Sequence, residues 1–186
     1  MAKLIYAYLA SLDGYVADAS GDFGWAYPGE EVMDFINAAE RDVGTYLYGR
    51  TMYEMMSGWE TDPGYAAGSP GDAEFARLWQ AADKVVFSRI LQAASTRRTR
   101  IERTFDAGMV RALKETAAKD LSVSGAELAA EAWRAGLIDE CQVFVSPMLV
   151  GGGKRMFPDG IRQPLELLEE RRFDNGMVFM RHRVLH

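Results

Sequence analysis

A chain of 186 residues that is 48% hydrophobic and 26% charged is long enough to bury a sizeable core and has the make-up of a globular domain, which excludes disordered and fibrous classes. A formal net charge of −6 argues against nucleic-acid or anionic-membrane partners, both of which need a basic face. One cysteine, Cys141, and two histidines, His182 and His186, permit no intrachain disulfide and suggest no zinc cluster, so a single domain over 1–186 in a reducing, cytoplasmic setting, without a metal, is expected.

In chain order, residues 4–10 form a short apolar run that reads as a strand buried on both faces. The run holds two tyrosines and is followed by Asp13-Gly14 where a signal peptide would be cleaved, so it is not taken for one. Residues 11–25, SLDGYVADASGDFGW, are neither helix nor strand by pattern and read as a surface turn or as a lid over a ligand. From Glu30, the spacing of Val32, Phe35, Ile36 and Ala39 predicts a core-facing helix with Glu31, Asp34 and Glu40 on its polar face. Residues 45–49 predict a strand and 50–56 a helix, while 59–71, with two prolines and three glycines, read as a loop. A helix marked by Phe75, Leu78 and Trp79 precedes a buried strand at 84–88 and a short one at 99–104. Val110, Leu113 and Ala117 line a further helix, followed by a strand at 121–125, a helix at 126–135 and a strand at 141–150 broken by Pro147. Residues 165–173 and 177–185, joined by DNG, predict a hairpin.

Strands alternating with helices predict an α/β domain with a mixed, mostly parallel sheet, to which the hairpin adds an antiparallel edge. Two strands end in glycine and open a helix, at LYGRTMYE and at VSGAELAAEAW. Helix N-termini offer free amides and a partial positive charge, and glycine lets a phosphate approach the backbone. One such junction is ordinary βα architecture; two, with Arg50 at one of them, make a dinucleotide plausible, although neither reads G-x-G-x-x-G. Ser88 and Arg89 follow a third strand, where open α/β sheets bind ligands.

LASLDGYVA, Trp25, LYGRTMYE, VVFSR, VSGAELAAEAWRAGLIDE and VSPMLVGGGKRMF occur in the order found in the dihydrofolate reductase-like superfamily. In detail the chain resembles the branch holding the reductase domain of riboflavin biosynthesis, the RibD C-terminal family. The resemblance covers essentially the whole chain and implies a three-layer α/β/α fold with about eight strands, NADPH as cofactor, a small-molecule substrate and a homodimer. It assigns Gly49, Arg50 and Thr51 to the cofactor phosphates, Ser88 and Arg89 to the 2′-phosphate, and Ser124, Gly125, Ala126, Glu127 and Leu128 to the diphosphate-binding helix. Residues 13–25 would close over the nicotinamide, with backbone near Ala10 and Val16 against the carboxamide. Glu30 is implied as proton relay with Asp34 as competitor, Trp25 as a substrate contact, and Asp13 as either a substrate contact or a shaper of its turn. Three features depart from the family pattern: Ser124-Gly125 stands for a glycine pair, Met52 for a threonine, and the basic residues that hold a ribose phosphate are not found. The activity implied first is 5-amino-6-(5-phosphoribosylamino)uracil reduction, then dihydrofolate reduction; the rival of another class is a non-catalytic NADP-binding sensor or interaction module.

Overall fold

The run LIYAYLAS becomes β1 (Leu4–Ser11), the inner strand of an eight-stranded sheet in the computed structural model, which describes residues 1–186. A three-residue strand β2 (Tyr15–Ala17) follows, then α1 (Gly29–Glu40), β3 (Val43–Gly49) and α2 (Arg50–Met56). The stretch expected as a loop holds two single helical turns, α3 (Gly58–Thr61) and α4 (Pro63–Ala66), and then opens α5 (Pro70–Ala81). The prolines explain the correction: each sits at a first helical position behind an acceptor, Asp62 capping Gly64 and Ser69 capping Asp72. The chain continues through β4 (Asp83–Phe87), β5 (Thr99–Glu102), α6 (Ala107–Thr116), β6 (Asp120–Ser124), α7 (Ala126–Arg134) and β7 (Glu140–Ser146). It ends with β8 (Lys154–Arg155), β9 (Leu165–Arg172) and β10 (Val178–Val184).

The large sheet runs β5-β4-β3-β6-β1-β7-β10-β9. Its first six strands are parallel, and β10 pairs antiparallel with both β7 and β9, giving the mixed sheet and terminal strand pair expected. Alternate residues of β3 feed opposite faces: Leu47 joins the core with Leu121, Val123, Val110 of α6 and Ala129, Ala132 and Trp133 of α7, while Tyr46 and Tyr48 pack with Met33 of α1 and Phe75 and Trp79 of α5. A third cluster, Val32, Phe144, Phe173, Met177 and Phe179, seats α1 on β7 and β10. These three layers fix the parallel strand ends along one rim.

Glu40 departs from the helical-spacing expectation. It is turned inward, where the Tyr46 hydroxyl donates to it at 2.6 Å and burial raises its pKa. On the α7 side of the terminal strands, Val178, Leu165 and Leu167 are 36%, 40% and 51% exposed, Val178 at one end of the strand pair and the two leucines at the other. No helix is long and apolar enough to cross a membrane.

Candidate functional site

Strands β3 and β6 are parallel neighbours in a register that sets Tyr48 opposite Ser124. The next residues, Gly49 and Gly125, therefore stand side by side, one opening α2 and the other α7. Gly125 has φ +103°, and a Cβ there would meet Met52 Cβ at 3.6 Å and the Gly49 nitrogen at 3.7 Å. Glycine at this position keeps the left-handed turn unstrained and the gap between the two junctions open. Leu128 lies 4.0 Å from where a Gly49 Cβ would be, and the half-buried Ala126 and the exposed Glu127 start α7.

Tyr8 reaches this gap from β1. The Gly125 N–H donates to its hydroxyl oxygen at 2.8 Å, and the hydroxyl proton is directed to the Met52 sulfur at 3.9 Å. Burial pushes its pKa up to about 12, against the pull of the Gly125 amide, so the phenol keeps its proton at neutral pH. In sequence, Tyr8 reads as one more core residue in an apolar run. Only the junction of three chain segments marks it out.

On the other side, Gly49 lies opposite Phe87, so Arg50 and Ser88 follow at adjacent strand ends. Arg50 donates to both Glu54 oxygens at 2.9 and 2.8 Å across one helical turn. The Ser88 hydroxyl accepts from the amides of Ile90 at 3.3 Å and Leu91 at 3.0 Å, which shapes the loop that carries the exposed Arg89. Arg103, missed in the sequence reading, follows β5 as Arg89 follows β4, and donates to the carbonyls of Ser88 at 3.2 Å and Leu91 at 2.7 Å. Three neighbouring strands thus end in arginines. Thr51 is exposed beside Arg50, and Ser124 is buried at the end of β6.

The segment expected as a lone lid is one half of a two-loop flap. Strand β2 pairs with β8, the Leu12 amide donates to Met148 and the Met156 amide to Gly14, each at 2.9 Å, and the Tyr6 hydroxyl donates to the Met156 carbonyl. Asp13 latches the two loops together. It accepts from the Ser11 hydroxyl at 2.6 Å, the Gly151 amide at 2.7 Å and the Val150 amide at 3.1 Å. These donors, the serine first, lower its pKa to about 2, so the turn-shaping role describes its contacts and it carries no proton to donate near neutrality. The sign follows from that shift: the latch contributes fully above the ordinary value of 3.8 and is lost as pH falls toward 2. Accordingly, amide exchange at Val150 and Gly151 is expected to accelerate between those pH values in the wild type, relative to intrinsic rates, and to be fast throughout in Asp13→Ala.

Ala10 is buried in β1 opposite Val145, and Val16 is buried in β2 within the main core, so both hold the flap's inner edge against the sheet. Trp25 lies half-buried in a 3₁₀ turn, its indole N–H donating to the Asp22 carbonyl at 3.2 Å and its own carbonyl accepting from the Ser146 hydroxyl at 3.5 Å. The flap therefore spans from the end of β1 to the end of β7. Glu30 and Asp34 are exposed on the first turns of α1, with Asp34 beside Gly71 at the start of α5. Their neighbour Glu31 is held by Arg171 at 2.9 Å and by the Asp174 amide.

The family model of the RibD C-terminal domain matches residues 2–179. The chain belongs to that family. Among curated proteins it is 27% identical to the uncharacterized protein YyaP of Bacillus subtilis (strain 168), over 95% of this chain and 92% of that one. Among solved structures, a protein named for riboflavin biosynthesis from Shewanella sp. PV-4 superposes with a TM-score of 0.78 at 18% identity, covering 100% of both chains. A pyrimidine reductase-like protein from Corynebacterium diphtheriae gives a TM-score of 0.64 at 14% identity, over 100% of this chain and 92% of that one. The diaminohydroxyphosphoribosylaminopyrimidine deaminase/5-amino-6-(5-phosphoribosylamino)uracil reductase of Thermotoga maritima matches at 0.66 and 16% identity, over 99% of this chain and 57% of that chain. At these identities the structural matches speak for the fold. They share its α/β fold, and in this chain the glycine pair, the arginine row and the flap lie on one rim of that fold.

Proposed function

We propose that this RibD C-terminal domain is an NADPH-dependent reductase of a small heteroaromatic or carbonyl-like substrate. The observation that carries the reading is the side-by-side placement of Gly49 and Gly125, just past the paired Tyr48 and Ser124, beside the arginines that follow β3, β4 and β5. The open glycine backbone and the α7 N-terminus suit a diphosphate, and a guanidinium row one to two strands away suits the additional 2′-phosphate that distinguishes NADPH. Bound NADPH supplies the hydride. The chain's own residues orient the cofactor, exclude water through the flap, and relay a proton from solvent, for which Glu30 on α1 is the candidate and Asp34 its competitor.

The first substrate to test is 5-amino-6-(5-phosphoribosylamino)uracil and the second dihydrofolate. Loss of NADPH absorbance with either, or with a broader panel of pyrimidines, pterins and carbonyl compounds, supports the enzyme. Tight NADPH binding without turnover on any of them favours a binding module. The absence of binding removes both.

We also propose that two copies pair through the sheet face that carries Val178, Leu165 and Leu167, since exposed apolar side chains on a sheet face favour association. Light scattering is expected to give twice the chain mass for the wild type and the chain mass for Leu167→Lys. A wild-type monomer at all concentrations sinks the pairing.

A further inference from the structure

Tyr8 stands in the gap between Gly49 and Gly125 with its two hydrogen-bonding functions unequally used. Its oxygen accepts a well-formed bond from the Gly125 amide at 2.8 Å. Its proton has the thioether of Met52, 3.9 Å away, which is a weak acceptor. A strong neutral donor, kept protonated by its burial, is therefore spent on a poor partner at the junction where Gly49 and Gly125 leave the backbone bare of side chains. A hydroxyl rotates about its C–O bond without moving the ring, so the proton can turn to a better acceptor while the oxygen goes on holding Gly125.

We propose that Tyr8 is a cofactor-binding residue, whose hydroxyl leaves Met52 and donates to an oxygen of the bridging diphosphate. This rests on the NADPH reading above and adds a third wall to the cradle, supplied by β1. The donation is charge-assisted, because the acceptor is anionic. It also couples the cofactor to β1, which carries Ala10 at its end and leads directly into the flap.

Calorimetric titration of NADP⁺ and of adenosine 2′-monophosphate into wild type and Tyr8→Phe tests the assignment without turnover. The monophosphate carries the 2′-phosphate but no phosphate at the 5′ position, and so no part of the bridging diphosphate. Tyr8→Phe is expected to weaken NADP⁺ by about tenfold or more and leave the monophosphate within about twofold. Unchanged NADP⁺ affinity, or equal losses for both ligands, overturns the role of Tyr8 while leaving the cofactor reading in place. No binding of either ligand to the wild type removes the cofactor reading itself, and Tyr8's role with it. Because Tyr8→Phe also strips the Gly125 amide of its acceptor, Met52→Leu provides a second arm with that bond intact. Freed of its thioether partner, the hydroxyl is expected to bind NADP⁺ as tightly as the wild type or slightly more so; a loss of fivefold or more counts against the proposal.

Discussion

Gly153→Ala is expected to detach the flap. At position 153 φ is +130°, which side chains rarely adopt, and an added Cβ would lie 2.2 Å from the Ala17 carbonyl oxygen and 2.5 Å from the Asp18 carbonyl carbon. Both are backbone atoms, so no rotamer change relieves the contact. The only relief is to separate residues 151–155 from β2, which undoes the antiparallel pair of Tyr15 with Arg155 and Ala17 with Lys154. Strain of this kind costs about 3 kcal/mol, enough to shift a docked flap by roughly a hundredfold toward the open form. The eight-stranded sheet does not contain β8, so the loss is expected in the flap first and in global stability second. Hydrogen exchange should rise at residues 12–18 and 148–156, and, on the proposed reductase reading, turnover should fall by at least about tenfold, the effect of leaving a reacting site open to water. Gly152→Ala is the control. Nothing lies within 4 Å of its Cβ position, and it is expected to behave as wild type. Equal behaviour of the two variants contradicts the picture of a tightly apposed flap.

On the proposed NADPH reading, replacing Arg50 and Arg89 should remove a preference for NADPH over NADH. The two cofactors differ by the 2′-phosphate, and in an acidic protein that charge needs a local cationic site. Arg50 is partly neutralised by Glu54 in a half-exposed pair, and such pairs are worth little, so it can be recruited by a phosphate at small cost. Each charge-assisted bond contributes about 1.5–3 kcal/mol, so Arg50→Ala or Arg89→Ala should weaken NADPH about ten- to a hundredfold and the double variant by more. NADH should be nearly unaffected. Titration of both cofactors into the three variants checks this. Losses of equal size for both would move the arginines to the shared part of the cofactor or to the fold. Arg103→Ala discriminates further: its guanidinium is tied to the Ser88 and Leu91 carbonyls, so it is expected to act by loosening the loop that carries Arg89.

What was readable in the sequence tracks the range of the forces involved. The strands of the large sheet and the long helices follow from periodicity and from glycine at strand ends, because each buries its own apolar face. The pairing of β2 with β8 does not. Those strands have three and two residues, too short for a pattern, and are held by bonds between residues nearly 140 positions apart, such as Asp13 with Gly151. The turn at Pro63–Ala66 and the start of α5 at Pro70 were hidden for the opposite reason, since proline and glycine suggest a loop unless the capping acceptor in front of each proline is weighed. Glu40 fell on the polar face by spacing alone, and only the neighbouring strand supplies the tyrosine that draws it in. In the candidate site, both glycine junctions and Arg50 were visible because local chain geometry sets them. Tyr8 and Arg103 were not, because their significance lies in which strand ends become neighbours.

The inner position of β1 also sets the order in which the protein can be made. Its first residues pair with β6 and β7, and the bond from the Leu4 amide to Asp139 spans 135 residues. At translation rates of roughly 5–20 residues per second, an apolar strand synthesised first waits on the order of ten seconds for either partner. Meanwhile β3 and β4, which are close in sequence, can pair on their own. The nascent chain thus holds LIYAYLA unpaired for most of its synthesis, a segment of the kind that chaperones bind and that aggregates when they do not. Recovery of active protein from denaturant should accordingly fall with protein concentration, and the final step of folding should be the insertion of β1 between two strands that are already formed.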